Sequence, residues 1–331
     1  MSIEQYIAYL MSEPGSSSCV KASEVLEVSH DKVNRLLNQE HYSSYDLFQR
    51  VRNELVLSGG TLTVDDTVLD KPYTDHNKSE LVGYYWSGKH HKAVKGINLI
   101  ALVYTDIKGL SLPVNYRLYT PEERKGKNDY FEEMFYEVLS WGLHPGRVSA
   151  DSWYSSLKNL KFLKKEEIPF LVGLKSNRVI SSKPRVYQHV KDADIPEDGL
   201  HTHLKGFDFI KVFRTVDQND NARYYAMWEP DNSDTLALQR EQFKSAKTEH
   251  WNVEKLFRLI KQTCQAERFW VRTKTAVNTH LFSVLRAAQR LLLMAKHQII
   301  NSAYAIQRTL FIQAQKDFIA QHGHLTFRSM Q

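Results

Sequence analysis

Apolar residues recur with two different periods along the chain, and each change of period marks a change of secondary structure. Within residues 19–38 they return every three or four positions, which predicts two short helices around a turn near residues 28–29. Ser29 is the expected N-cap of the second helix, whose inward side would carry Val33, Leu36 and Leu37. This is helix-turn-helix spacing, although any small helical hairpin shows the same pattern.

The other side of that second helix is polar and would be available to a partner. In a helix-turn-helix motif the second helix enters the major groove of DNA. The residues that it would present there are His30, Asp31, Asn34 and Arg35. A DNA-reading motif and a plain helical hairpin therefore both remain open.

From Thr61 onward the apolar pattern is typical of strands. Three runs separated by short polar or glycine-bearing turns predict three consecutive strands joined by hairpins. Their sequences are LTVDDTVL, INLIALVYTD at 97–106 and LSLPVNYRLY at 110–119. A helix over 128–141, a strand over 147–151, a helix over 153–165 and a strand over 169–174 are predicted to follow.

Residues 176–240 carry short strand-like runs, among them FDFIKVFRTV and ARYYAMW on either side of the turn DQNDN. This segment predicts a β-rich insertion. Helical periodicity returns near Thr248 and continues over 278–321, where an apolar stripe indicates the buried side of a helix. That stripe consists of Leu281, Leu285, Ala288, Leu292, Ala295 and Ile299.

Together these elements predict an α/β fold, with a mixed sheet, flanking helices, a β-rich insertion and a small helical N-terminal domain. We expect four segments along the chain. They are a helical domain over 1–60, the first part of the core over 61–175, the insertion over 176–240, and the last part of the core with the C-terminal helices over 241–331.

The composition is that of a globular protein from a reducing compartment. With 331 residues, of which 42% are hydrophobic, the chain can bury a sizeable core. Its two cysteines, Cys19 and Cys264, lie far apart and outside any Cys-x-x-Cys motif, which excludes a disulfide framework and a thiolate zinc site. No long apolar run and no signal-peptide pattern is present. We therefore expect a cytoplasmic protein that does not contact a membrane.

Positive charge is concentrated at one end of the chain. Lysine and arginine number 44 against 38 aspartates and glutamates, a net charge of +6. Residues 247–331 alone hold 13 basic and 4 acidic residues, a net charge of +9, which leaves −3 for the remainder. A basic end indicates a polyanionic partner such as nucleic acid. A solvated helix surface would have the same composition, so both interpretations stand.

Three carboxylates fall where two strands and a helix would bring them together. The first strand is expected to end in Asp65-Asp66 and the fourth in Asp151, so these acids would meet at one sheet edge if the two strands are neighbours. The helix around 250–264 would bury Val253, Leu256, Phe257, Ile260 and Cys264, and its polar stripe would carry Lys247, Glu254, Arg258 and Lys261.

Clustered carboxylates repel one another unless a cation neutralises them. Oxygen ligands of this kind suit Mg²⁺, and two such ions about 4 Å apart can activate a water and stabilise the leaving oxygen in phosphodiester hydrolysis. Taken singly, a strand-end aspartate is commonly a turn former and a helical glutamate beside lysine a solvated pair. The three acids together point to nucleic-acid cleavage.

Other groups of residues in the sequence are weaker candidates for a functional site than these acids. The pairs His90-His91 and His201-x-His203 lack a third nitrogen or sulfur ligand at a suitable spacing. No GxxxxGK[ST] loop occurs, so we expect no nucleotide cofactor. Paired carboxylates would also suit a glycosidase, but the basic end of the chain has no part in that chemistry.

The segments LTVDDTVLDK, VSADSWY and HWNVEKLFRLIKQ resemble the three signature blocks of DDE transposases from bacterial insertion sequences. The similarity runs from residue 61 to residue 274. It is closest to the branch whose last carboxylate follows a β-strand insertion and lies in a Tyr-Arg-Glu-Lys motif. The family tyrosine and arginine positions are occupied here by Lys247 and His250, and the family lysine by Lys261.

This resemblance implies an RNase H-like core in which Asp65, Asp151 and Glu254 are the catalytic residues and the metal ligands. The family pattern Asp-x-Thr assigns the first ligand to Asp65 rather than to Asp66. The implied cofactor is Mg²⁺, with Mn²⁺ as a possible substitute. The implied DNA contacts are Lys261, Arg258, Lys247 and His250 near the site, with Asn34 and Arg35 in the N-terminal domain.

The implied activity is binding to the ends of an insertion element in double-stranded DNA, cleavage there, and joining of the 3′-hydroxyl ends to target DNA. The implied assembly is a homodimer on DNA, associated with the bacterial nucleoid. The alternative is a non-catalytic DNA-binding protein descended from a transposase. The presence of all three acids favours the enzyme.

Overall fold

The computed structural model describes residues 1–75, 79–88, 90–183 and 185–322. The chain forms two compact units, one of residues 1–42 with the chain from Arg258 onward and the other of Ser43–Phe257. The first 42 residues therefore group with the C-terminal helices, and this boundary differs from the expected one at residue 60. The reason is packing, because the first helices of the chain contact the helix that begins at Lys274.

The described helices and strands alternate only in the middle of the chain. The helices are α1 Ile3–Ser12, α2 Cys19–Val25, α3 His30–Gln39, α4 Ser44–Gln49, α5 Lys127–Ser140, α6 Leu157–Lys165, α7 Asn232–Ala237, α8 Arg240–Gln262, α9 Lys274–Lys296 and α10 Ile306–His322. The strands are β1 Thr61–Asp70, β2 Gly83–Ser87, β3 Lys92–Thr105, β4 Ser111–Leu118, β5 Arg147–Ala150, β6 Phe170–Leu174, β7 Val179–Lys183, β8 Val186–His189, β9 Leu200–Leu204, β10 Phe209–Val216 and β11 Ala222–Trp228.

In the first unit, α2 and α3 are the two short helices that the apolar spacing predicts. Ser29 caps α3, since its side chain accepts the backbone N–H of Lys32. Val33 and Leu37 are buried. The N-terminal helices pack against α9, and the hydroxyl of Thr279 donates to the carbonyl of Glu40 at 2.8 Å.

The helical periodicity predicted over 278–321 corresponds to the helices α9 and α10 of this unit. Helix α9 ends at Lys296, and Gln298 adopts a left-handed conformation with φ of 57°, which a right-handed helix cannot include. Leu281 and Leu285 of the apolar stripe are buried, whereas Ile299, beyond the helix, is exposed. Among the described helices, none is both long and apolar enough to cross a membrane.

The second unit is built on one mixed sheet with the strand order β2-β3-β1-β5-β6-β11-β10-β9-β7-β8, in which β4 also pairs with β3. Strands β1, β5 and β6 are parallel neighbours, and β3 is antiparallel to β1. This confirms the predicted α/β class, and the order β4-β3-β1-β5-β6 is consistent with an RNase H-like arrangement. Strand β2 is not predicted from the sequence, because its large side chains Tyr84 and Trp86 face solvent and its only buried residue is Ser87.

The expectation that the first strand ends at Asp66 is wrong. Strand β1 continues to Asp70, because β3 pairs with it as far as Gly96. Pairing with β5 stops earlier, at the rung that joins Val64 to Ala150. Asp65 and Asp66 therefore lie in the middle of β1, at the point where the neighbouring strand β5 ends.

The β-rich segment extends the central sheet instead of standing apart from it. Strand β11 pairs with β6, and the β10–β11 hairpin surrounds the turn that the sequence predicts. Helix α8 packs on this part of the sheet through a stack of Phe213 on Phe243, whose ring centroids are 4.6 Å apart at an interplanar angle of 9°. The surrounding buried cluster contains Leu171, Met227, Leu238 and Ala246.

Substitution of Phe243 by alanine should loosen α8 from the sheet. Removal of a fully buried phenylalanine typically lowers the free energy of unfolding by about 3–5 kcal/mol. Denaturant unfolding followed by fluorescence measures the effect. Phe311→Ala is the matched control, because Phe311 is 63% exposed on α10 and its loss should change stability by less than about 0.5 kcal/mol. Equal midpoints for the two variants would contradict the assignment of this stack as an anchor.

Candidate active site

Asp65 and Asp151 occupy neighbouring positions on two parallel strands. The last rung between β1 and β5 joins Val64 to Ala150, so the next residue in each case is an aspartate, Asp65 within β1 and Asp151 directly after the end of β5. Side chains alternate between the faces of a sheet, and equal steps from paired residues keep the same face. The expected meeting of the two acids is conditional on these strands being neighbours, and the structure pairs them in parallel.

Glycine in the third parallel strand allows the chain after Asp151 to turn closely over the sheet. A Cβ atom on Gly173 would lie 2.8 Å from the backbone nitrogen of Ser152 and 3.2 Å from the carbonyl carbon of Asp151. The backbone conformation of Gly173 itself is ordinary for a strand. Glycine is therefore required at this position because a side chain would not fit.

The carboxylate of Asp151 organises the turn that follows it. Its Oδ1 accepts the backbone N–H groups of Trp153 at 2.8 Å and Tyr154 at 3.4 Å. Helix α6 consequently begins at Leu157, where Ser156 is the N-cap, and not at residue 153 as the sequence predicts. Burial raises the pKa of Asp151, and the charge of Asp66 adds to this, although the two N–H groups act in the opposite direction.

Asp65 is the most strongly perturbed carboxylate of the group. It is buried, and burial together with the negative charges of Asp151, Asp66 and Glu254 raises its pKa well above the ordinary value. Its Oδ1 accepts the backbone N–H of Asp66 at 2.7 Å. Within the described residues, no basic side chain forms an ion pair with Asp65 or Asp151. Backbone N–H groups offset the burial of both carboxylates in part, and the charge of Lys127 also favours the ionised form of Asp151.

Asp66, by contrast, is held by three side-chain donors. Its Oδ2 accepts Lys127 Nζ at 2.6 Å and Asn98 Nδ2 at 2.7 Å, and its Oδ1 accepts the hydroxyl of Tyr154 at 3.1 Å. Alternation along β1 places Asp66 on the face opposite to Asp65. The pKa of Tyr154 is raised by burial and by the nearby aspartates, so its hydroxyl stays protonated and donates.

Helix α8 crosses the sheet on the face that carries Asp65, and three polar contacts attach it there. The hydroxyl of Thr61 on β1 donates to Glu249, Ser149 on β5 is 2.9 Å from Nδ1 of His250, and Asn252 donates to Thr105 on β3 at 3.2 Å. Burial, and secondly the charge of Lys247, lowers the pKa of His250 to about 4. The imidazole is therefore neutral at physiological pH.

Glu254 follows these contacts one turn further along α8. Its neighbours Val253, Leu256 and Phe257 are buried as predicted, and the Glu254 side chain is exposed. Its negative charge contributes to the raised pKa of Asp65. In the described part of the chain, however, no three His, Cys, Asp or Glu side chains form a closed metal cage. The structure brings Asp65 and Asp151 side by side and leaves Glu254 at the rim.

The basic residues of α8 have different environments. Lys247 Nζ lies 5.1 Å from the ring centroid of Tyr225 and contacts Thr215, facing the β10–β11 hairpin. Arg258 is exposed, and Lys261 pairs with Glu267 at 3.1 Å. The environment of His250 described above argues against a charged contact with phosphate. In the N-terminal part, Asn34 and Arg35 lie on the exposed side of α3.

Several site residues are missed by sequence reasoning. Lys127, at the start of α5, and Asn98, on β3, both bind Asp66. Asn98 carries a signal that could have revealed it, because it is a single polar residue inside the apolar run INLIALV. The alternation TLTVDD likewise separates Asp65 from Asp66 by face. Lys127 offers no such signal, since it belongs to a distant polar segment.

The donor set fits a hard divalent cation. The two adjacent side chains offer carboxylate oxygens, with Glu254 as a third acid nearby, and such ligands suit Mg²⁺. The raised pKa values of Asp65 and Asp151 agree with this fit, because burial and the neighbouring acids disfavour the charged carboxylates when no cation is bound. A cation at this position would relieve that repulsion.

Substitution of Gly173 by alanine should displace the Asp151 turn. The added Cβ would meet backbone atoms, which cannot rotate away, and overpacking of this kind costs about 1–3 kcal/mol. Gly88→Ala is the matched control, because no atom lies within 4 Å of its Cβ position. Thermal unfolding of both variants is the measurement, and a Gly173 variant as stable as the control would show that the turn can move freely.

Acidification should weaken the attachment of α8 through His250. Its folded pKa of about 4 is below the ordinary value of 6.5, so protonation destabilises the folded chain. The contribution is fully present above about pH 6.5 and is lost as the pH falls toward 4.

The measurement is the free energy of unfolding at several pH values in that window. The His250→Asn variant should show a smaller loss than the parent protein, because asparagine does not titrate. The carboxyls of Asp65 and Asp151 have raised pKa values and contribute with the opposite sign, and the difference between the two proteins cancels them. Identical pH profiles would rule out a titrating contact at His250.

Most of the chain is similar to a known protein family. Residues 58–289 match the family model described as the transposase DDE domain, a span that covers most of the chain and includes Asp65, Asp151 and Glu254. No curated protein matches the sequence significantly.

Two solved structures resemble the chain at low sequence identity. A piggyBac transposase, in a cryo-EM structure of a synaptic complex with hairpin DNA, is 14% identical over 99% of this chain and 72% of that chain, with a TM-score of 0.55. This similarity shows a shared fold. The Drosophila P element transposase in a strand transfer complex is 8% identical over 97% of this chain and 86% of that chain, and its TM-score of 0.29 adds nothing further. With a family model matched over most of its length, the chain belongs to the transposase DDE domain family.

Proposed function

We propose that this protein is a transposase that binds the ends of its element, cleaves phosphodiester bonds there and joins the freed 3′-hydroxyl ends to target DNA. Family membership supports a polynucleotidyl transferase or nuclease activity in general. The observation that carries the proposal is the pair Asp65 and Asp151, which the parallel strands β1 and β5 place side by side, with the charge of Glu254 acting on Asp65.

In this proposal, Asp65 and Asp151 hold divalent metal and Glu254 completes the ligand set from α8. The metal is Mg²⁺, with Mn²⁺ as a substitute, and when bound it polarises the phosphoryl oxygens and activates the attacking hydroxyl. Asp66 acts differently. Its three donors fix β1 against α5, so Asp65 is presented in one orientation, and Lys127 keeps a positive charge beside the site.

The DNA contacts are proposed on separate surfaces. Asn34 and Arg35 read the element end from the exposed side of α3, and Arg258, Lys247 and Lys261 hold phosphates from α8. We place His250 among the residues that position α8. The piggyBac transposase, which is similar in fold, is bound to DNA in its structure, and this supports double-stranded DNA as the partner. A homodimer on DNA, a cytoplasmic location and a bacterial insertion-sequence origin in the Tyr-Arg-Glu-Lys branch belong to the same proposal.

A non-catalytic DNA-binding descendant of a transposase is the second candidate. One observation favours it, namely that within the described residues the three acids do not close into a ready metal cage. The two candidates differ in Mg²⁺-dependent cleavage. Mg²⁺-dependent nicking at the DNA ends that flank the gene would establish the enzyme.

The decisive experiment compares Asp65→Asn with Asp66→Asn. Asp65→Asn removes a proposed metal ligand, so it should abolish cleavage. It also relieves the repulsion among the acids, so the free energy of unfolding should be unchanged or raised. Asp66→Asn breaks the half-buried pair with Lys127, so it should lower the free energy of unfolding by about 1–3 kcal/mol and retain part of the cleavage. Cleavage, gel shifts and denaturant unfolding on the same preparations are the measurements.

Asp151→Ala is the companion variant, because Asp151 is proposed to hold metal and not DNA. It should bind the element end like the parent protein and cleave it no faster than background. Cleavage by Asp65→Asn or Asp151→Ala at the parental rate would refute the assignment of the metal ligands. Loss of cleavage together with loss of folding would instead assign these acids to the structure of the sheet.

A further inference from the structure

A two-stranded ribbon extends the sheet beyond the end of β1. The pairing of β3 with β1 stops at the rung that joins Asp70 to Gly96, and within the described strands the ladder of β3 continues from there with β2. We call residues 83–87 and 92–96 the β2–β3 ribbon. Because it follows the carboxyl end of the strand that carries Asp65, the ribbon leaves the sheet on the side of the candidate active site.

Three consecutive aromatic residues of β2 have opposite environments. Tyr85 is turned toward the fold, since its ring packs edge-on against Tyr119 with the ring centroids 5.7 Å apart. Tyr84 and Trp86 point the other way and are 67% and 66% exposed. Two large exposed aromatic side chains on an edge strand favour association with a partner. Packing within the chain therefore accounts for Tyr85 and leaves its two neighbours to a partner.

The two exposed rings lie on the face of the sheet that carries Asp65. Residues paired across antiparallel strands share a face, and every second residue along a strand returns to it. Asp65 is paired with Ala101, and the partner of Trp86 is Ala93, eight residues away on the same strand β3. Tyr84 is two residues from Trp86 and shares its face. A long molecule that reaches Asp65 across this face would also meet the ribbon.

The charge of this segment indicates the kind of partner. Residues 81–105 contain no aspartate or glutamate, whereas three lysines and two histidines lie within 89–95. Lys92, at the start of β3, is exposed, and no acidic side chain in the described part of the chain forms an ion pair with it. Such a segment complements the phosphate backbone of nucleic acid. A second copy of the ribbon would bring the same positive charge, which disfavours a contact between two ribbons.

We propose that the β2–β3 ribbon lies in the major groove of the DNA duplex beside the cleavage site. Tyr84 and Trp86 face the base edges, where an aromatic ring contacts the methyl group of thymine, and Lys92 contacts a phosphate. The major groove matches the ribbon in shape, because it admits two paired strands and the minor groove is about half as wide. This inference rests on the proposed function, and it adds a duplex contact outside the candidate active site.

The strand register gives the distance between this contact and the cut. Five residues along β1 separate Asp65 from the rung of Asp70, and three residues along β2 separate Gly83 from Trp86. At about 3.3 Å per residue, Trp86 lies about 26 Å from the proposed metal ligands. With a rise of about 3.4 Å per base pair, the ribbon meets the DNA about eight base pairs from the cut.

The test combines a ribbon variant with a change in the length of the DNA. The full chain is titrated without metal against two duplexes of the element end, one reaching about 15 base pairs to either side of the cut and one reaching about 5. The double variant Tyr84→Ala/Trp86→Ala should bind the long duplex roughly tenfold more weakly than the parent protein. Both proteins should bind the short duplex equally, because it does not reach the ribbon.

Tyr187→Ala is the matched control, because Tyr187 is 57% exposed on β8, at the opposite edge of the same sheet. It should bind both duplexes like the parent protein. Lys92→Ala should reduce the slope of log affinity against log salt by about one on the long duplex. Lys108→Ala, at an exposed lysine in the turn after β3, should leave that slope unchanged. Thermal unfolding of every variant verifies that the fold is intact.

The outcomes separate this inference from the proposed activity. If the parent protein cleaves DNA with Mg²⁺ but the double variant binds the long duplex as tightly as the parent, the ribbon contact is refuted and the transposase remains. Equal weakening on both duplexes would place the contact at the cut and also refute the inference. If the weakening is confined to the long duplex but no Mg²⁺-dependent cleavage occurs, the ribbon contact stands and the proposed catalysis fails.

Two further results would overturn the inference. Loss of a dimer in sedimentation by the double variant, with unchanged affinity for the long duplex, would assign the ribbon to a contact between two copies of the chain. A parent protein without affinity for either duplex would refute the ribbon contact and the proposed function together.

Discussion

The arrangement of the site depends on the parallel pairing of β1 with β5, which sets Asp65 and Asp151 side by side at the end of the shorter strand. The negative charges of these two carboxylates repel each other, and burial raises the pKa of both carboxyl groups. On the opposite face of β1, Asp66 accepts Lys127, Asn98 and the hydroxyl of Tyr154, and the charge of Lys127 also favours the ionised form of Asp151.

Helix α8 brings the third acid to this pair through contacts made earlier along its length. The Phe243 stack attaches its first turns to the extended part of the sheet, and Glu249, His250 and Asn252 then contact β1, β5 and β3 in succession. These polar contacts define the rotation of the helix about its axis. Because a helix is rigid over one turn, the same contacts define where Glu254 lies. A proposed metal ligand thus depends on neutral hydrogen bonds to the sheet.

Much of the fold could be predicted from apolar periodicity, since the helices α2, α3 and α5, the strands β1 and β3 to β6, and the β10–β11 hairpin are all found near their expected places. The errors have physical causes. Strand β2 presents its large side chains Tyr84 and Trp86 to solvent, and α6 starts late because Asp151 holds the turn before it and Ser156 is its N-cap. The three acids were also named from sequence, with Asp65 chosen over Asp66 by the spacing to Thr67.

By itself, the sequence determined the chemistry available to this protein: three carboxylates in order, a basic C-terminal part and alternating strands that place Asp65 and Asp66 on opposite faces. Only the tertiary structure decided which charges meet. Lys127 reaches Asp66 across 61 residues of sequence, and Lys175 approaches the ring of Trp153 from a different strand end. Such pairs follow from strand order and register, which are set by burial of the whole sheet and leave no local pattern in the chain.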